Sequence, residues 1–160
     1  MADALGVLLL TWNNAFYRYG DLDLNELDKC LSRNFPVIKA FRLRHINSFC
    51  LEDEAVAGAL FEGFLNALRL AGTTTKSPVA AAKALHLLAP AFFPLWDVTI
   101  AKHYKSYWYH SHNGAERYLF FWKVARALAQ REASSFEDET ETLLKIFDEF
   151  NYAKFTKQWL

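Results

Sequence analysis

Ser77 to Tyr104 reads SPVAAAKALHLLAPAFFPLWDVTIAKHY. Its first half is a near-continuous apolar helix, interrupted only by Lys83 and His86. Ser77 and Pro78 suit an N-cap and a first helical position, and Pro90 cannot continue the helix, so the pattern predicts a helix over Ser77–Ala89. A proline-bracketed aromatic turn follows, and Asp97 then opens a helix reaching about Ser106. A helix that is apolar on every side belongs at the centre of its domain. The stretch therefore predicts a helical fold built around it. Ionisable groups in such surroundings must be paired, shifted in pKa or used for chemistry, so a site is expected here.

The rest of the chain agrees with this reading. Apolar residues recur at spacings of three and four, and no segment alternates as a strand does. A first helix is expected over Ala4–Tyr19, ending at Gly20. Asp23-Leu-Asn-Glu26 has the capping-box pattern and starts a second helix, which Asn34-Phe35-Pro36 should break. Pro36 then suits the start of a third, about Val37–Asn47. Glu52–Leu70 and Ala115–Arg131 read as helices. Ser134-Ser-Phe-Glu137 is a second capping box, opening a last helix over about Phe136–Phe150. The expectation is an all-α fold, one compact domain over residues 1–160, with six to eight helices around a central apolar one.

Hydrophobic residues make up 52% of the chain and aromatics 16%, enough to form a core and to exclude global disorder. No apolar run reaches membrane-spanning length. Leu5–Leu10 ends at polar Thr11-Trp12-Asn13-Asn14 and lacks the features of a leader peptide. Cys30 and Cys50 have no metal or redox spacing. A cytoplasmic protein without a membrane role is expected. No P-loop, nucleophile elbow, dinucleotide fingerprint or zinc motif occurs, so no cofactor is expected. His103, His110 and His112 lack metal-ligand spacing and read as surface histidines.

Formal net charge is zero, but its distribution is uneven. Residues 71–133 hold eight Lys/Arg against three acids, whereas both flanks are acidic. This suits either an ordinary solvated face or one that meets a polyanion. Lys102, Lys105 and Arg126 are the candidate phosphate contacts. Tyr107 and Trp108 are the candidate stacking partners, since aromatics with basic neighbours can hold single-stranded bases. The same tyrosines and tryptophans also suit a protein interface.

Lys83 and His86 are three apart and share a helix face. The short connection Ala89–Trp96 lets the next helix fold back and bring Asp97 towards Lys83. Two readings stand. Lys83 and Asp97 form a buried structural pair with His86 beside it, or the three form an acid–base site walled by Phe92, Phe93 and Trp96. Ala82-Lys83-Ala84-Leu85-His86 and Pro90-Ala91-Phe92-Phe93-Pro94-Leu95-Trp96-Asp97 resemble uncharacterised bacterial helical proteins placed near the helix–hairpin–helix DNA glycosylases. They also resemble the catalytic half of those glycosylases, where a helix leads through a proline step to an essential aspartate. The Gly-x-Gly hairpin of that family is replaced by Thr73-Thr74-Thr75-Lys76-Ser77-Pro78, and its lysine position falls on Val79.

The resemblance implies a DNA-glycosylase-like fold. As an enzyme, the chain would act on a flipped nucleotide, with Asp97 as catalytic carboxylate and Lys83 and His86 positioning the substrate. As a non-catalytic module, it would use the same fold for a protein partner or for small homo-oligomers. DNA and protein are the two partner classes to be weighed.

Overall fold

The computed structural model describes residues 1–107, 113–132 and 141–160. Among them are eight α-helices and no strand: α1 (Ala2–Trp12), α2 (Asn14–Tyr17), α3 (Leu24–Arg42), α4 (Asp53–Ala67), α5 (Pro78–Leu88), α6 (Val98–His103), α7 (Ala115–Glu132) and α8 (Leu143–Asn151). A 3-10 turn (Ile46–Ser48) precedes α4, and one π-helical turn (Tyr152–Thr156) prolongs α8. A single antiparallel bridge, Leu22 to Leu70, ties the entry to α3 to the exit of α4.

The capping signals act where the sequence places them. Asp23 accepts from the backbone N–H of Asn25 and Glu26 at the start of α3. Ser77 Oγ accepts from Ala80 N at 3.1 Å, and Pro78 follows as first helical residue of α5. The second capping box, Ser134–Glu137, lies outside the described residues. Within them, the last helix starts at Leu143 behind a Thr142 cap.

α3, α4 and α6 end a few residues before the expected limits, at Arg42, Ala67 and His103, and two further boundaries differ in kind. The first helix does not run to Tyr19; it breaks at Asn13 (φ −121°, ψ 31°) and resumes as the short α2. Pro36 does not break α3, so the second and third expected helices are one. The buried residues Leu27, Cys30, Leu31, Ile38 and Phe41 form one stripe that continues past the proline. Pro36 and Ser32, whose carbonyl loses its helical partner, both sit on the exposed side where water can bond that carbonyl. Burial of the whole stripe outweighs the local cost.

The position of α4 is a further difference. α4 packs against α3, α5 and α7, and Ala57, Leu60, Phe61 and Phe64 are almost wholly buried. α5 is buried along Ala80, Ala81, Ala82, Ala84 and Leu85 but leaves Lys83, His86, Leu87 and Leu88 half-buried. The hub is therefore α4, and α5 is one of its neighbours. α1 lies over α3 and α5, and α8 packs on α7. No helix of the described residues is long and apolar enough to cross a membrane.

The turn between α5 and α6 fills the space these helices enclose. Phe92, Phe93 and Trp96 are at most 1% exposed. Phe92 stacks on Phe41 with ring centroids 4.6 Å apart and meets Trp122 edge-on at 4.9 Å. Trp96 meets Phe61 and Tyr118. Each such side chain contributes about 1.5–3 kcal/mol of apolar burial. A buried turn also buries backbone polar groups, which must be bonded. Ile46 N donates to Ala91 O at 2.8 Å, and Tyr118 Oη donates to Pro94 O at 3.0 Å. Trp96 Nε1 donates to the buried Ser106 Oγ at 3.0 Å.

Outside this turn, Arg44 clamps Asp53 with two bonds of 2.7 Å and lies over the Phe92 ring at 4.7 Å. The guanidinium holds the Asp53 carboxyl down at about 2.

Tyr118→Phe keeps the ring and removes only the donor to the buried Pro94 carbonyl. It is expected to cost about 1–3 kcal/mol of unfolding free energy in urea titration. An unchanged midpoint would show that the turn does not depend on this bond.

Candidate functional site

The sequence singled out Lys83, His86 and Asp97, and each proves to be bonded to backbone. Lys83 Nζ donates to Trp12 O at 2.7 Å and lies 4.8 Å from the centre of the Trp12 ring. Trp12 is the last residue of α1. Its carbonyl is one that a helix end leaves over, and the negative end of the helix dipole favours a cation there. Asp97 is close enough to act on Lys83 through space, but the two make no direct ion pair. Burial lowers the Lys83 pKa, and Asp97 opposes that shift.

His86 is bonded through Nδ1 to Phe93 O at 2.9 Å. A carbonyl only accepts, so Nδ1 carries the proton and Nε2 is the acceptor in the neutral ring. Burial lowers the His86 pKa, with the Phe93 bond working against it. His86 is thus a further donor to the buried aromatic turn. Asp97 is the N-cap of α6, and its Oδ1 accepts from Ile100 N at 2.8 Å.

The structure adds a residue that sequence reasoning missed. Asp148 of α8 lies near Asp97, and its carboxyl is pushed up to about 6, first by burial and then by Asp97 and Glu149. A signal for it was present. Leu144, Asp148 and Asn151 follow a four-three spacing, and Leu144 and Asn151 are buried, so Asp148 falls on the inward stripe of its helix.

An open cleft of about 620 Å3 lies between α8 and the end of α1 with the α5–α6 turn. Its walls include Trp12, His86, Pro90 and Leu95 on one side and Lys145 and Asp148 on the other. Lys145 is bonded to Glu141 and also reaches Glu149 at 3.3 Å. Neither Lys83 nor Asp97 is part of the lining. Burial is the largest cause of the shift for two lining groups, His86, which it lowers, and Asp148, which it raises.

The candidate nucleic-acid residues come from different elements. Lys102 lies 5.8 Å from the centre of the Tyr107 ring, and Tyr107 packs edge-on against Trp96. Lys105 is exposed in the turn after α6, at φ 57°. Arg126, on α7, is half-buried over Phe49 at 6.0 Å, with its Nε buried and without a hydrogen-bond partner. Trp108, His110 and His112 lie outside the described residues. His103 stacks on Phe155 with centroids 3.6 Å apart. Among the described residues no three His, Cys, Asp or Glu side chains are grouped to hold a metal ion.

No protein-family model matches the chain, and no curated protein or solved structure matches it.

The pH dependence of stability tests the Asp148 assignment. Its folded pKa of about 6 exceeds the ordinary 3.8, so its contribution is intact below pH 3.8 and falls as pH rises to about 6. Asp148→Asn is therefore expected to stabilise the protein by about 1–2 kcal/mol at pH 7.5 and by almost nothing at pH 4. Asp97→Asn retains a capping side chain and removes a like charge, so it should be close to neutral in stability. Equal effects of Asp148→Asn at both pH values would refute the shifted carboxyl.

Proposed function

We propose that the chain is a non-catalytic helical binding module that engages a protein surface through the outer face of α1. The observation that carries the reading is the exposure of that face. α1 reads ADALGVLLLTW, apolar on almost every side, yet only Ala2, Leu5, Gly6 and Leu9 are buried. Val7 is 63% exposed, Leu8 51% and Leu10 39%, and the helix ends at Trp12, 43% exposed. Single exposed apolar residues are ordinary, but a contiguous set on one helix marks a contact surface. The α5–α6 residues support the same reading from the other direction. Lys83, His86 and Asp97 all bond backbone groups of the fold itself, which accounts for them without catalysis.

A second copy of the chain is the occupant we assign. Zero net charge leaves no long-range repulsion between copies, and a helix face pairs readily with itself across a two-fold axis. The double variant Val7→Glu, Leu8→Glu changes exposed side chains only. Sedimentation equilibrium should show wild-type association that rises with concentration and a monomeric variant with the same melting temperature. A wild-type chain that stays monomeric at several hundred micromolar would overturn the assignment.

The enzymatic reading, a DNA-glycosylase-like fold with Asp97 acting at a flipped nucleotide, has one observation in its favour. Asp148, whose carboxyl is pushed up to about 6 by burial and then by Asp97, and an open cleft stand beside the α5–α6 turn, and shifted carboxyls are a recurrent feature of acid–base sites. Release of a base from damaged or mismatched DNA by the wild type, abolished by Asp97→Asn, would install this reading in place of the first.

A further inference from the structure

α8 also lines a second cavity, of about 490 Å3. The size falls in the range of about 300–1,000 Å3 typical of small-molecule sites. Its wall comes from several elements: Tyr104 at the end of α6, Leu128 of α7, Ile146, Phe147 and Phe150 of α8, and Phe155 of the π turn. It is therefore a concave site and not one unpartnered helix face. Aromatic rings form much of the lining. His103 stacks on Phe155 at 3.6 Å, and Tyr104 lies 6.0 Å from both Phe147 and Phe155. The Tyr104 hydroxyl donates to Asn151 Oδ1 at 2.7 Å, so its polar end is satisfied within the fold. The π turn is a second pointer to a site. Lys157 N donates to Tyr152 O, five residues back, at 2.9 Å. Such turns are rare, and they are frequent at functional sites. This one brings Lys154 and Phe155 to the cavity.

Charge selects the occupant. No carboxylate lines the cavity among the described residues, so a cationic molecule meets no counter-charge there. It also meets the Lys154 ammonium, 5.0 Å from the centre of the Phe150 ring. An anion fares no better. α6 and α7 finish at the cavity, and each C-terminus is equivalent to at most about half a negative charge, which offsets Lys154. Arg131 has an interaction of its own, so its charge is not free for a ligand. Burying either ion against apolar side chains then carries a desolvation cost that the wall does not offset. An uncharged molecule escapes that cost. An aromatic one also gains offset-stacked or edge-to-face contacts with the rings of the wall.

We infer that this cavity binds an uncharged aromatic molecule, its rings against Phe147, Phe150 and Phe155. The site shares no residue with the exposed face of α1.

The test is calorimetric titration of the full chain with 2-naphthol, uncharged at neutral pH, against 2-naphthoate and 2-naphthylmethylammonium, which have the same rings and opposite charges. 2-Naphthol should bind about tenfold more tightly than either ion. Decahydro-2-naphthol, uncharged and saturated, should bind about threefold more weakly than 2-naphthol. Phe150→Asp, 46% exposed and on the cavity wall, should weaken 2-naphthol about tenfold, with the circular dichroism spectrum unchanged. Nuclear Overhauser contacts from the bound ring to the methyl groups of Leu128 and Ile146 locate it in the unmodified chain, whether or not that variant folds. No binding of 2-naphthol, equal binding of either ion or of the saturated alcohol, or contacts to Val7 and Leu8 in place of Leu128 and Ile146 would each overturn the proposal.

Discussion

The fold depends on burying a turn. Residues 90–96 connect two helices, and such segments normally run over the surface because their backbone groups need water. Here the segment carries Phe92, Phe93 and Trp96 into the centre, against Phe41, Phe61, Tyr118 and Trp122. The apolar gain is several side chains' worth of burial. The cost is avoided because three separate elements donate to the turn: Ile46 from the 3-10 turn, His86 from α5 and Tyr118 from α7. α5, α7 and the entry to α4 are thereby fixed relative to one another by bonds to the same few residues. This gives His86 a structural role, and its ring orientation follows from that role.

The helices and the aromatic turn were legible in the sequence because their signals are local. Asp23, Ser77 and Asp97 are caps whose partners lie two or three residues on, and their chemistry is complete within one turn. The failures all involve partners distant in sequence. Pro36 looks like a break until the stripe from Leu27 to Phe41 is seen to be buried on both sides of it. Lys83 looks as though it needs Asp97, because no residue of α5 announces that the Trp12 carbonyl will stand beside it. Asp148 was passed over although its spacing from Leu144 and Asn151 marks it as inward-facing. Nothing near it in sequence reveals Asp97 as its neighbour. Function was the least legible part, since a site is a juxtaposition of several elements and the motifs here lie within one.

α8 shows how one helix separates two chemistries. Leu143, Ile146, Phe147 and Phe150 face an apolar cavity, while Lys145, Asp148 and Glu149 face a cleft lined largely by charged groups. The 100° step of the helix is sufficient to sort these neighbours onto opposite sides. One helix thus presents an apolar side and a charged side.

The buried ionisable groups also shape the response to acid, and their signs differ. Asp53 sits at about 2 against an ordinary 3.8, so its contribution is full above pH 3.8 and is lost as pH falls towards 2. His86 is lowered from 6.5, so it opposes acidification from about that value downward, where the unfolded chain takes up a proton that the fold refuses. Asp148 acts in the reverse sense between 3.8 and about 6, where the folded chain holds the extra proton. His86 and Asp148 thus respond to acidification in opposite senses, one losing stability and the other gaining it. Both groups line the same cleft. Below pH 4 Asp148 has no more to give, and loss of the Arg44–Asp53 clamp becomes the acid-sensitive step.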